Sequence, residues 1–508
     1  MDKNYLEAQS FEEQKFAERA ADWRNGAIIY QVFVDRFVEP ENLNAKEHLY
    51  RQPKQLKKWD ELPAPGAFLP EAHVWSHEIE FWGGDLKSLI TKMDYLKELE
   101  IDVLYLNPIF AAFTNHKYDA LDYFQISPEY GTQADLAALI EQVHQANMKI
   151  VLDGVFNHIG RQSELFQEAL HNPTSSRRDW FYINEQFPHG ARLWANAHNL
   201  PELNYENPAV RKYLYEDENS VVRSYLRAGV DGWRLDVAYE LGYPFLHELT
   251  KHAHQEKPGS LTVGEIWNYP QDWTPALDAV MNFTFRQIIL NVVTGKTTPN
   301  LAGEMLAKVI EDTGIEAMLK AWVVLDNHDM IRLNASLPER ADQKIAQVLQ
   351  FTLPGSPNLY YGSELGMEGG ADPANRAPMR WDLVSPENEV LAWTKTLIQL
   401  RKAQRALRIG DYRRVLANQL IAFERCTEKV NETVLILVNP TSQTVTENIM
   451  VPDSKLMNGT RFNDLLGSAQ VFTMYSGILD VTLAPKSALV LKPDTEPVDG
   501  YSPYKRFA

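Results

Sequence analysis

From Gly26 onward, short apolar runs alternate with longer stretches in which apolar positions recur every three or four residues. Strands of a parallel sheet are buried on both faces and read as continuous apolar runs, while the helices that cross between them carry a single apolar stripe. Eight such runs occur, at residues 28–34, 103–107, 150–153, 232–236, 261–265, 280–283, 322–326 and 358–361. The stretch before the third run shows the helical signal well. Thr132 and Asp135 have the spacing of a capping box, and Leu136, Leu139, Ile140 and Val143 follow as one stripe. Eight alternations of strand and helix predict an α/β fold closed into a (β/α)8, or TIM, barrel.

Three stretches depart from this alternation. Residues 158–204 separate the third strand from its helix by far more than an ordinary connection and are rich in His, Asn, Arg and aromatics, which predicts a small inserted domain. After residue 405 the period changes to two, at 420–424, 433–438 and 488–491, so residues 406–508 are expected to form an antiparallel β-sandwich. Residues 1–22 are polar, with Leu6, Phe11, Phe16 and Ala20 at helical spacing, and predict a helical extension docked on the body. The barrel itself then spans 23–405.

The 508 residues are too many for one simple core, in keeping with this division. Lys and Arg number 50 against 68 Asp and Glu, a net charge of −18 that repels phosphate backbones and anionic membrane surfaces. Nucleic acid is thereby excluded as a partner, and no run reaches the roughly 18–20 apolar residues of a membrane span. The single cysteine, Cys426, rules out an intrachain disulfide, and the first residues lack the basic segment and apolar run of a secretory signal. Both features point to the cytoplasm.

Active sites of (β/α)8 barrels lie at the C-terminal ends of the strands, so acidic residues that terminate apolar runs are the ones to collect. Asp153, Asp236 and Glu265 end the third, fourth and fifth runs, and Asp329 follows the seventh. Glycosidic cleavage with retention needs one ionised carboxyl to attack the anomeric carbon and one protonated carboxyl to release the leaving oxygen, about 5–5.5 Å apart. Asp236 and Glu265, on consecutive strands, can supply that gap. Arg234, two residues before Asp236 on the same strand face, is expected to keep Asp236 ionised, and the apolar neighbours of Glu265 are expected to raise its pKa. Asp329 would stabilise developing positive charge, with His158 and His328 as hydroxyl donors. Taken singly, each has a plainer explanation: Arg234 with Asp236 as a structural ion pair, the histidines as satisfied core residues, Trp194 and Trp267 as core aromatics.

The motifs DGVFNH (153–158), GWRLD (232–236), GEIW (264–267) and DNHD (326–329) resemble those of the α-amylase family of glycoside hydrolases. The resemblance implies Asp236 as nucleophile, Glu265 as acid/base and Asp329 as transition-state stabiliser, with Tyr118, His158, Arg234 and His328 around the sugar. HKYDALDYFQISPEYGT (116–132), LPELNYENPAVR (200–211) and GMEGGADPANRAPMRW (366–381) are similar to the neopullulanase, cyclomaltodextrinase and maltogenic amylase branch, which acts on maltooligosaccharides, cyclodextrins and pullulan. By that likeness His116, Trp267, Asp372 and Arg376 would touch the α-glucan.

The chain departs from the branch in three places. About 22 residues precede the barrel, where the branch has a β domain that supports dimerisation, so monomer and homodimer both stay open. VAYEL after the nucleophile lacks the Lys-His pair of typical α-amylases. The loop after VDRF lacks their calcium run, leaving Glu39, Asn42, Asn44 and Asp85 as a partial set. No metal or cofactor is therefore expected to be required, with calcium the one candidate. Two further readings are an exo-acting α-glucosidase, oligo-1,6-glucosidase or transglycosidase, and a non-catalytic carbohydrate-binding member. The intact carboxylate trio argues against the last.

Overall fold

The computed structural model describes residues 3–505, with side chains from residue 10 onward. Eight parallel strands close into a barrel in chain order: β1 (Ile29–Val32), β2 (Val103–Leu106), β3 (Lys149–Gly154), β4 (Gly232–Leu235), β5 (Leu261–Ile266), β6 (Ala279–Asn282), β7 (Trp322–Val324) and β8 (Ser356–Tyr360), which pairs back onto β1. Side chains alternate between two buried environments. Ile29, Val103, Tyr105, Val151, Val263, Met281 and Trp322 fill the barrel interior, whereas Tyr30, Leu104, Leu152, Trp233 and Leu235 pack outward against the helices. Burial on both faces is why the runs read as unbroken. The expected helix before β3 forms as Gln133–Gln145, capped reciprocally by Thr132 and Asp135, and buries Leu136, Leu139, Ile140 and Val143.

Register places the polar residues that matter. Arg234 lies opposite Asp153 on β3 and Val263 on β5, and Glu265 lies opposite Met281. Asp236, Asp326 and Asn107, expected as last strand residues, fall just past the ladders, where the chain turns into the loops of the C-terminal rim. The insertion begins and ends side by side through bridges between His158 and Glu202 and between Phe181 and Leu203. It therefore closes on itself and presents Trp194 to the rim.

The C-terminal strands are β9 (Asp411–Arg414), β10 (Ile421–Cys426), β11 (Val434–Asn439), β12 (Val445–Met450), β13 (Arg461–Asp464), β14 (Val471–Tyr475), β15 (Ile478–Leu483) and β16 (Ser487–Pro493). They form one continuous sheet in the order β9-β10-β11-β16-β13-β14-β15-β12. The sheet folds over a core of its own that includes Leu435, Ile449, Phe462, Leu479 and Leu491. On β11 the alternate residues Val434, Ile436 and Val438 join the barrel's apolar cluster instead, fixing this unit to the barrel.

The N-terminal helix α1 (Lys3–Ala21) docks by only part of the expected stripe. Phe11 is 67 % exposed and Ala20 is also exposed, and the side chain of Leu6 lies outside the described residues. The buried pair is Phe16 and Arg19, at i,i+3. Arg19 bonds Glu316 on the barrel at 2.6 Å, Asp411 on β9 at 2.8 Å and the Ile409 carbonyl at 3.0 Å, so one guanidinium joins three parts of the molecule. Arg19→Ala is expected to lower unfolding stability by about 1–2 kcal/mol, because both carboxylates keep partial access to water. A urea unfolding midpoint equal to the parent's would refute the staple.

Candidate active site

Arg234 is fully buried and organises the rim. Its Nη1 donates to Asp153 at 2.9 Å and Asp236 at 2.8 Å, and its Nη2 lies 2.8 Å from Glu265. One positive charge thus faces three carboxylates. Burial holds the pKa of Asp236 well above the usual aspartate range; the negative charges of Glu265, Asp153 and Asp329 add to this, and Arg234 opposes it. Burial likewise raises Asp153. Arg234 therefore does not outweigh burial at Asp236, contrary to the expectation that it holds this carboxyl ionised. Glu265 accepts hydrogen bonds from the Val237 backbone at 3.0 Å and from the Trp267 indole at 2.9 Å, besides its contact with Arg234. Trp267, counted among its apolar neighbours in sequence, thus meets Glu265 by its polar N–H.

Val237 makes that contact from a left-handed conformation, φ 38° and ψ 44°. A β-branched residue rarely adopts this shape, and the turn brings its N–H onto Glu265 directly after Asp236.

A second network fixes the far side of the cleft. The Gln31 amide lies 2.9 Å from His328 Nδ1, His328 Nε2 lies 2.6 Å from the Tyr118 hydroxyl, and that hydroxyl donates to Asp153 at 2.9 Å. Gln31 Nε2 can only donate, which assigns the proton of His328 to Nε2. Burial pushes the His328 pKa well down, so the ring stays neutral, and it stacks on Tyr118 at 5.4 Å with a 4° tilt. His158 is buried, neutral with its pKa pushed down to about 3 by burial, and 4.0 Å from Asp236, yet neither ring nitrogen has a protein partner. Buried polar atoms without partners are uncommon, and these are available to a ligand hydroxyl. Arg376 contacts Asp329 at 3.2 Å, Asp372 at 3.1 Å and the His328 carbonyl at 2.9 Å.

A cavity of about 400 Å³ joins these groups. Asp236, Glu265, Asp329, His116, Tyr118, His158, Trp267, His328, Asp372 and Arg376 all line it, and Arg234 lies behind them. Trp194 and Trp267, read singly as core aromatics, are instead on its wall; Trp267 is 48 % exposed and stacked on Phe283 at 4.0 Å. The sequence reading missed Glu78, 3.3 Å from His116, and Tyr105, whose hydroxyl donates to Asp153 at 2.6 Å. It also missed Tyr239 on the wall and Gln31 behind it. Gln31 was traceable, since a Gln inside a run buried on both faces must find a polar partner.

Glu39, Asn42 and Asn44 are exposed, with Asn42 turned onto the Ala45 N–H at 3.4 Å. Asp85 is occupied by the Ser88 N–H at 2.7 Å and the Lys46 ammonium at 2.9 Å. Among the described residues, no three His, Cys, Asp or Glu form a metal-holding group.

Paired carboxylates at the strand ends of a (β/α)8 barrel, around a cavity walled by indoles and neutral imidazoles, define the active site of a glycosidase. Residues 31–386 match the family described as alpha amylase, catalytic domain, and the chain belongs to that family of glycoside hydrolases. It is 33 % identical over 485 residues to neopullulanase 2 of Thermoactinomyces vulgaris, covering 92 % of this chain and 78 % of that one. It is 35 % identical over 402 residues to the intracellular maltogenic amylase of Bacillus subtilis strain 168, covering 77 % and 64 %. Among solved structures, the cyclic α-maltosyl-(1→6)-maltose hydrolase of Arthrobacter globiformis in complex with maltose superposes with a TM-score of 0.77 at 28 % identity, covering 93 % of this chain and all of that one.

Proposed function

We propose that the protein hydrolyses α-1,4 bonds of short or cyclic maltooligosaccharides, and of pullulan, by double displacement. Asp236 attacks the anomeric carbon while Glu265 gives its proton to the departing glycosidic oxygen, leaving a glycosyl ester on Asp236. Glu265 then takes a proton from water, which attacks the same carbon and frees Asp236. Asp329, held by Arg376, faces the positive charge that develops on the ring, and His158, His328 and Tyr118 hold the hydroxyls of the sugar being cleaved. The observation that supports the reading is the single guanidinium of Arg234, 2.8 Å from both Asp236 and Glu265 on adjacent strands, the neighbourhood a retaining pair of carboxyls needs.

The substrate range follows the names of the relatives, and none of the three is named as an exo-acting glucosidase. The intracellular relative supports a cytoplasmic protein, and no described helix is long and apolar enough to cross a membrane. The test is a product profile on maltotriose, β-cyclodextrin, pullulan, isomaltose and soluble starch. Maltose and glucose from cyclodextrin, and panose or maltose from pullulan, are expected; glucose from chain ends alone, with cyclodextrin untouched, would overturn the reading.

Glu265→Gln separates the two carboxylates. Turnover of maltotriose is expected to fall about 10²–10⁴-fold, and an aryl α-maltoside, whose leaving group needs no proton, is expected to show a much smaller loss in the first step.

A further inference from the structure

The outermost part of the rim holds a cation of a different kind. The Lys46 ammonium sits in a socket made by the Gly83 carbonyl at 2.7 Å and the Asp85 carboxylate at 2.9 Å, with 17 % of its side chain exposed. A backbone carbonyl and a carboxylate converging on one point are the oxygen donors that a hard divalent cation takes. Here both already point at a fixed positive charge, and Glu39, Glu41, Asn42 and Asn44 of this loop lie exposed. A calcium ion would have to displace the ammonium and then find most of its six to eight oxygens elsewhere.

The socket is tied to the active site. The Gly83 N–H donates to Asp35 at 3.0 Å, Asp35 pairs with Arg36 at 2.8 Å, and Arg36 donates to the Arg376 carbonyl at 2.5 Å. Arg376 in turn holds Asp329. Asp35 and Arg36 are fully buried, so the link is a rigid one.

We infer that Lys46 is a built-in replacement for a structural divalent cation, bracing the loop after β1 and, through Asp35 and Arg36, the Arg376 wall of the cleft, so that the protein needs no metal to hold its cleft open. Lys46 is a positioning residue, and this reading is independent of the roles given to Asp236 and Glu265.

The test uses the full chain, with thermal unfolding midpoints and maltotriose kinetics measured in excess EDTA and in millimolar Ca²⁺. The parent protein is expected to show the same midpoint and KM in both, and a midpoint that falls in EDTA and recovers with Ca²⁺ overturns the inference. Lys46→Met, which keeps the stem and removes the charge, is expected to lower the midpoint by about 2–4 °C and to raise KM more than it lowers kcat. Lys46→Arg, which keeps the charge, should stay nearer the parent in both readouts. A Met variant that matches the parent, or an Arg variant as impaired as the Met variant, would show that the ammonium charge is not the bracing element.

Discussion

Asp236→Asn is expected to abolish hydrolysis, with kcat/KM for maltotriose falling about 10⁴-fold or more, and to leave the protein as stable as the parent or slightly more so. The loss follows from removing the only group on β4 that can form the glycosyl ester; the size is that seen when one member of a cooperating catalytic set is deleted. The stability outcome rests on charge. Asp236 is buried and shares one guanidinium with two other carboxylates, and the balance of these effects raises its pKa. Its ionised form is therefore disfavoured in the folded protein, and an amide of the same shape removes a repelling charge while still accepting from Arg234 Nη1. Sites built for reactivity commonly carry such a cost in stability. Unfolding midpoint and kinetics measured on one preparation distinguish this from simple misfolding. An active Asn variant would remove Asp236 from the mechanism, and an inactive one that melts well below the parent would make its role structural.

The parts of this site that could be read from sequence are those that break a strong local rule. A strand buried on both faces should be apolar throughout, so Asp153, Arg234, Asp236 and Glu265 stand out at the ends of such runs. The period of two along β lattices then puts Arg234 and Asp236 on one face without any knowledge of the fold. What could not be read was decided by contacts between distant segments. Glu78 reaches His116 from a loop 38 residues away and has no local signal. The charge balance at Asp236 was misjudged for the same reason: Arg234 is shared with Asp153 and Glu265, and burial outweighs it. On α1, Phe16 of the expected stripe is buried, but its companion is Arg19 and not Phe11 or Ala20, because Glu316 and Asp411 lie opposite an arginine, which no periodicity of apolar residues reports.

Removing Arg234 should do the most damage to the fold. Arg234→Met keeps much of the volume but leaves Asp153, Asp236 and Glu265 buried with no countercharge, and breaking a buried ion pair from one side costs about 3–5 kcal/mol. The penalty has a pH signature. Without the guanidinium the folded-state pKa values of Asp153 and Asp236, already raised by burial, rise further, while their unfolded values stay near about 4. Below that pH both states are protonated and the variant should approach the parent in stability. Above it the unfolded chain releases protons that the folded one retains, so the deficit should grow as pH rises from there through the folded-state values. Arg234→Lys restores a charge but not a fork, since a single ammonium cannot meet Asp236 and Glu265 on separate nitrogens. It should recover much of the stability and little of the activity, because the carboxyl spacing is no longer held. Unfolding midpoints of the three proteins at pH 4 and pH 7, with maltotriose kinetics on the Lys variant, decide the matter. If the Met variant melts with the parent at pH 7, the guanidinium is not what makes three buried carboxylates compatible with this fold.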